Sequence, residues 1–169
     1  MGGAIALACA LRHPAAIRNL VLSGPALSAG KQVPALQLIM VRLLSAILPN
    51  VGALTLPADA ISRNPAVVRA YEQDPLVYRG AIPARTMAEL LKAMQAFPDT
   101  VDALRMPVLV LHGTADRLVP LGPVEPVLKR LGSADKTVHR YEGLYHEVFN
   151  EPERDRVIGD MLAWLDARA

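Results

Sequence analysis

Asp116 and His146 are the residues whose types and setting best suit chemistry. Each follows a stretch that reads as a strand: Pro107-Val108-Leu109-Val110-Leu111 ahead of Asp116, and Lys136-Thr137-Val138-His139-Arg140-Tyr141 ahead of His146. In open parallel sheets, reactive groups collect just beyond the carboxyl ends of the strands. Two consecutive loops of this kind bring an acid and an imidazole to one rim. A carboxylate behind a histidine fixes the ring tautomer and stabilises the imidazolium as it forms. The histidine then serves as general base toward a nucleophile and general acid toward a leaving group. Ser23 also follows a strand, but it lacks a Gly-x-Ser-x-Gly elbow and is a poor nucleophile candidate. Cys9, flanked by Ala8 and Ala10, reads as a small buried filler. His112 reads as a structural residue closing the strand end, and His13 and His139 as surface residues. No His, Cys and carboxylate cluster has metal-ligand spacing, so neither metal nor cofactor is expected.

The elements that must position this pair follow from patterning. The apolar run 107–111 reads as a strand buried on both faces, which belongs to a mostly parallel sheet with helices above and below. Gly3 to His13 reads as a helix rich in Ala and Leu, stopped by Pro14. It is apolar nearly all round and should be buried on several sides. A strand at Leu20 to Leu22 follows, closed by Ser23-Gly24-Pro25. Residues 26–106 differ in character: no convincing strand, helical stretches at Leu36 to Leu48, Pro65 to Tyr71 and Arg85 to Phe97, and proline-rich connections. Helices inserted between two core strands read as a lid that shields a site from water. Val119 to Leu131 and about Glu153 to Ala167 supply two more helices. In the last, Val157, Ile158, Met161, Leu162 and Leu165 are expected to face in, with Trp164 beside them. The organisation is therefore a core part at 1–25, a helical insertion at 26–106, and a second core part at 107–169 that carries the acid and the histidine.

A formal net charge of +2 with scattered Lys and Arg points away from nucleic acid and from an anionic membrane surface. A single cysteine excludes an internal disulfide. The apolar opening at 1–11 has no basic residue before it, as a signal peptide would, and is too short to span a bilayer. Ala6 stands where N-myristoylation wants Ser or Thr. A cytoplasmic or peripheral-membrane location is the expectation. The helix around Leu36 to Leu48 carries little charge. It either accepts an acyl chain and touches lipid aggregates, or packs silently on the core.

The order of acid then histidine, with a nucleophile upstream, matches the α/β-hydrolase pattern. Leu111-His112-Gly113-Thr114-Ala115-Asp116-Arg117-Leu118-Val119-Pro120 resembles the acid segment of monoacylglycerol lipases, and Tyr145-His146-Glu147-Val148-Phe149-Asn150-Glu151 their histidine segment. Ile61-Ser62-Arg63-Asn64-Pro65 and Tyr71-Glu72-Gln73-Asp74-Pro75-Leu76 resemble the lid of the same group. Met1-Gly2-Gly3-Ala4-Ile5-Ala6 resembles the residues directly after the nucleophile serine in a Gly-His-Ser-Met-Gly-Gly elbow. The resemblance implies the C-terminal part of a partial α/β-hydrolase fold. It implies Asp116 and His146 as catalytic residues, a backbone oxyanion-hole position at Met1, and a lipid ester as substrate. The serine would stand just before Met1, and the sequence does not contain it, so the chain alone is expected to show no turnover. Gly2 and Gly3 are expected to let the first helix pack closely, and Glu147 and Asn150 either to order the histidine loop or to be solvated. Two alternatives stay open. One is a haloalkane dehalogenase or epoxide hydrolase with an aspartate nucleophile, although those families usually carry a tryptophan where Met1 stands. The other is a non-catalytic fragment that associates with a partner through a sticky sheet edge beside Leu20-Val21-Leu22, with poor solubility when expressed alone.

Overall fold

The structure is a computed structural model that describes residues 1–29 and 35–169. A three-stranded parallel sheet runs in the order β1–β4–β5, formed by Leu20–Ser23, Val108–Gly113 and Lys136–Tyr141. The central strand pairs on both sides: Leu20 stands opposite Val108 on one flank, and Lys136 opposite Val108 on the other. Its Val108, Leu109, Val110 and Leu111 are all fully buried. Removing each such side chain from water contributes about 1.5–3 kcal/mol, which makes β4 the keel of the fold.

Successive side chains of β4 point to opposite faces, and each face has its own helices. Val108 and Val110 pack with Ala4, Leu7 and Ala10 of helix α1 (Gly2–Arg12) and with Val124, Val127 and Leu128 of helix α5 (Leu121–Arg130). Leu109 and Leu111 pack with Tyr141, Val148, Val157 and Trp164, the last two on helix α6 (Arg154–Asp166). Trp164 also donates from Nε1 to Thr137 Oγ1 at 3.2 Å, so its polar edge is satisfied inside the layer.

Between β1 and β4 lie helices α2 (Ala35–Ile47), α3 (Pro65–Gln73) and α4 (Ala84–Ala96). Asn64 caps α3 by accepting from the N–H of Ala66 at 3.0 Å, and Pro65 opens it with a pre-set φ. The residues called strandless in the sequence reading hold two short strands. Gly52–Leu54 (β2) and Ile82–Pro83 (β3) pair antiparallel. Runs of three and two residues carry no periodicity, and a proline in one of them argues against a strand, so pattern alone misses them.

Two further expectations are corrected. Helix α1 buries one face, Ala4, Leu7 and Ala10, while Ile5 is 62% exposed. An apolar composition all round set no limit on how many faces have neighbours. In α6, Val157 and Trp164 are buried and Met161 and Leu165 pack against the core, whereas Ile158 and Leu162 are exposed. The inward stripe is set by where Trp164 must go, and it leaves the 158/162 row on the outside. Among the described residues, no helix is long and apolar enough to cross a membrane.

Candidate active site

The loops after β4 and β5 are joined by extending the strand pairing past the strand ends. Thr114 donates from its backbone N–H to Tyr141 O at 2.9 Å, and Ala115 donates to Leu144 O at 3.0 Å. The backbones meet so closely that a Cβ on Gly113 would lie 2.2 Å from Leu144 O. Only glycine permits that approach. Gly143, at φ +75, turns the second loop, and its N–H donates to Thr114 Oγ1 at 2.9 Å.

Asp116 sits in this junction, buried, with both carboxylate oxygens engaged. Oδ1 accepts from the backbone N–H groups of Leu118 and Val119, each at 2.8 Å. Oδ2 lies 2.8 Å from Nδ1 of His146. A carboxylate accepts only, so Nδ1 of a neutral His146 carries the proton and Nε2 keeps its lone pair. The imidazole is 23% exposed, open enough to be reached and enclosed enough to be held.

His112 lies behind the acid and is fully buried. Its Nε2 is 2.9 Å from Val119 O and 3.5 Å from Asp116 Oδ2. Burial pushes its pKa down, against the opposing pull of the Val119 carbonyl and the Asp116 charge. Neutral His112 therefore donates from Nε2 to Val119 O, closing the loop around Asp116. Its Nδ1 is buried with no hydrogen-bond partner among the described residues.

The third wall comes from β1. Gly24 continues the strand, donating to Leu111 O at 2.9 Å, with φ +49. A Cβ there would lie 2.9 Å from both Cε1 and Nδ1 of His146. The backbone after β1 thus lies directly against the ring. Gly3 of α1 packs as closely on Pro25, where a Cβ would come within 2.8 Å of the proline Cβ. Met1 is the N-cap of α1, its carbonyl accepting from Ala4 and Ile5 at 2.9 and 3.2 Å.

Of the residues singled out by sequence, the structure brings Asp116 and His146 into contact. Ser23 lies within β1, in register with Leu111. Cys9 is exposed on the outer face of α1, correcting the reading of a buried filler; small neighbours do not show which way a helical residue points. His139 is half-buried and stacked on Tyr141 with ring centroids 6.0 Å apart, which corrects its reading as a surface residue, while His13 is exposed. Asn150 Nδ2 donates to Glu147 Oε2 at 2.7 Å, on the exposed side of the histidine loop. Two contributors escaped sequence reading. Gly24 had one signal, a glycine directly after a strand. Glu151, buried and held by Arg63, stands in the stretch that resembles the family's histidine segment, but nothing in that stretch marks its burial or its partner. Among the described residues, no group of three His, Cys, Asp or Glu side chains could hold a metal ion.

An oriented, half-open imidazole with its Nε2 free is equipped to take a proton from a hydroxyl presented to it and to return it to a leaving group. The chain is similar to several known lipases. Over 165 residues, covering 98% of this chain and 59% of the relative, the sequence is 40% identical to the monoacylglycerol lipase of Mycolicibacterium smegmatis. It is 32% identical to the monoglyceride lipase of Mus musculus, over 99% of this chain and 56% of the relative. The chain thus spans a little under 60% of the length of these two curated relatives. The structure superimposes on the monoacylglycerol lipase of Paleococcus ferrophilus with a TM-score of 0.89 at 28% identity, over 99% of this chain and 65% of that one. A soluble variant of the Saccharomyces cerevisiae monoglyceride lipase shares the fold, with a TM-score of 0.84 at 22% identity, over 99% and 59% of the two chains. Residues 1–153 match the Hydrolase_4 family, described as serine aminopeptidase, S33, and the chain belongs to that family of α/β-hydrolases.

Proposed function

We propose that this chain supplies the acid, the general base and the lid of a serine carboxylester hydrolase of the monoacylglycerol lipase type. The hydrogen bond from His146 Nδ1 to Asp116 Oδ2, at 2.8 Å, carries the reading. In the reaction, a serine hydroxyl attacks the ester carbonyl while its proton passes to His146 Nε2. The tetrahedral intermediate collapses, the ester C–O bond breaks, and His146 returns the proton to the departing alcohol. Water then attacks the acyl-serine, giving its proton to the same nitrogen. The acyl C–O bond to the serine then breaks, His146 passes that proton to the serine oxygen, and the carboxylic acid leaves. Asp116 stays ionised throughout and stabilises the imidazolium.

The serine is assigned to the position immediately before Met1, and the backbone N–H of a peptide-linked Met1 to the oxyanion hole. One feature supports this: Gly3 of α1 packs on Pro25, the neighbour of the Gly24 that borders the His146 ring. Residues 26–106 form the lid. Helix α2 exposes Leu36, Ile39, Met40, Leu43 and Ile47 along one side, an apolar stripe suited to an acyl chain or the surface of a lipid aggregate.

The test is an assay of the purified chain on a short-chain aryl ester, alongside a version extended through the coding sequence upstream of Met1. The extended protein should hydrolyse the ester and lose activity on Asp116→Asn or His146→Ala. The chain alone should show none. Turnover by the chain alone that either substitution abolishes would overturn the placement of the nucleophile.

A further inference from the structure

Glu151 is a carboxylate that hydrolysis does not use. Its side chain is fully buried, five residues beyond His146. Both of its oxygens are held by one residue from the lid: Oε1 accepts from the backbone N–H of Arg63 at 2.8 Å, and Oε2 from Arg63 Nε at 2.6 Å. Arg63 also donates from Nη2 to Glu153. The contacts around this pair run the same way. Glu147 donates from its N–H to Ile61 O at 2.8 Å, and Ser62 Oγ donates to Asn150 O at 3.2 Å. On the other flank, Arg117, the neighbour of Asp116, donates to the backbone and side-chain oxygens of Asp59 at 2.7 Å. Its guanidinium lies over the Tyr145 ring, 5.0 Å from the centroid.

Residues 59–63 therefore grip both loops that carry the Asp116–His146 pair. A buried carboxylate is retained only when its partner holds it well, because an unpaired charge there is strongly disfavoured. A fork that takes both oxygens also fixes direction, as a single contact would not.

We propose that Glu151 and Arg63 are a positioning pair: they lock the base of the lid to the histidine loop, so that the lid's anchor sets how His146 sits on Asp116. Lid motion is then confined to residues on either side of the 59–63 anchor, and a lid displaced at that anchor carries the general base with it. This rests on the reading of Asp116 and His146 as acid and base.

The test uses proton NMR of the whole chain, following the His146 Nδ1–H signal and its exchange with solvent. Asp116→Asn is the control and should abolish the signal. If that control leaves it intact, the acid–base reading itself fails, whatever Glu151 does. Removing one partner alone would strand a buried charge, so the informative variant is the double Arg63→Met, Glu151→Met, in which both charges leave together and volume is kept. The expectation is an unchanged fold, shown by parental amide signals along β4, with the His146 proton exchanging about tenfold faster or more. A folded double variant with the parental exchange rate overturns the proposal. So does a double variant that no longer folds, because the pair then serves the fold rather than the histidine.

Discussion

Replacing Gly24 with alanine should damage both the fold and the His146 contact, and the structure separates the two costs. The first is conformational. Gly24 sits at φ +49, a region where an L side chain costs about 1–2 kcal/mol. The second is collision. The new Cβ would lie 2.9 Å from Cε1 and Nδ1 of His146 and 3.2 Å from its carbonyl oxygen. Carbon atoms prefer about 3.5–4.0 Å, so ring and strand must part by roughly 0.6–1 Å. Neither side gives easily. The ring is tied to Asp116 at 2.8 Å, and Gly24 is tied to Leu111 O at 2.9 Å. Overpacking of this kind typically costs about 1–3 kcal/mol, for a total of about 2–5 kcal/mol. Gly143 supplies the control. It has φ +75 but nothing within 4 Å of a Cβ, so Gly143→Ala should lose only the conformational part, about 1–2 kcal/mol. Urea unfolding of both variants measures the difference, and proton NMR reports whether His146 Nδ1–H survives. Equal destabilisation of the two, with the Gly24→Ala signal intact, would refute the close approach of β1 to the ring.

His112 and the exposed stripe of α2 each give a further expected outcome. His112 is buried with its pKa lowered, so the unfolded chain binds a proton there, at about pH 6.5, before the folded chain does. Its contribution to stability is full above that value and is lost as pH falls below it, with a slope of at most about 1.4 kcal/mol per pH unit. Urea midpoints at pH 7.5 and 5.5, compared between the parent and His112→Gln, should show a shallower loss in the variant; equal losses would exclude His112 as the source. Ile39 and Leu43 are exposed on α2, so replacing both with serine should move stability by no more than about 0.5 kcal/mol per site. The same variant should sediment less with phospholipid vesicles, and undiminished sedimentation would remove α2 from the proposed lipid contact.

The sheet was legible because its strands announce themselves. An apolar run of alternating valine and leucine at 108–111, fully buried, leaves little room for another reading. The rim was legible from the same fact, since a strand's end fixes where its following loop lies. What sequence hid were contacts between distant segments. Arg63 and Glu151 are 88 residues apart, and although each lies in a stretch that resembles the family, neither stretch shows that the two pair. Gly24 looks like a turn residue until the His146 ring is placed against it. The misjudged face of α6 has a related origin: Ile158 and Leu162 are as apolar as Met161 and Leu165, and only the seat of Trp164 under β5 decides which row turns inward.

His146 is therefore the point where three remote parts of the chain meet. Asp116 holds the ring from the β4 loop, Gly24 backs it from the end of β1, and Ile61 to Arg63 brace its loop through Glu147, Asn150 and Glu151. Each contact alone leaves a freedom that another removes. The Asp116 hydrogen bond permits rotation about the Nδ1–Oδ2 line, which the Gly24 backbone blocks. The Arg63 fork adds a third hold, on Glu151 at the far side of the same loop. In the proposed reaction, an imidazole that takes a proton from one oxygen and delivers it to another needs its ring held in place, because misplacement by about 1 Å is enough to cost a hundredfold in rate. The burial of Glu151 makes physical sense in this light: a charge withdrawn from water on the flank of the histidine loop, held by two N–H groups of one residue, gives that loop a single position.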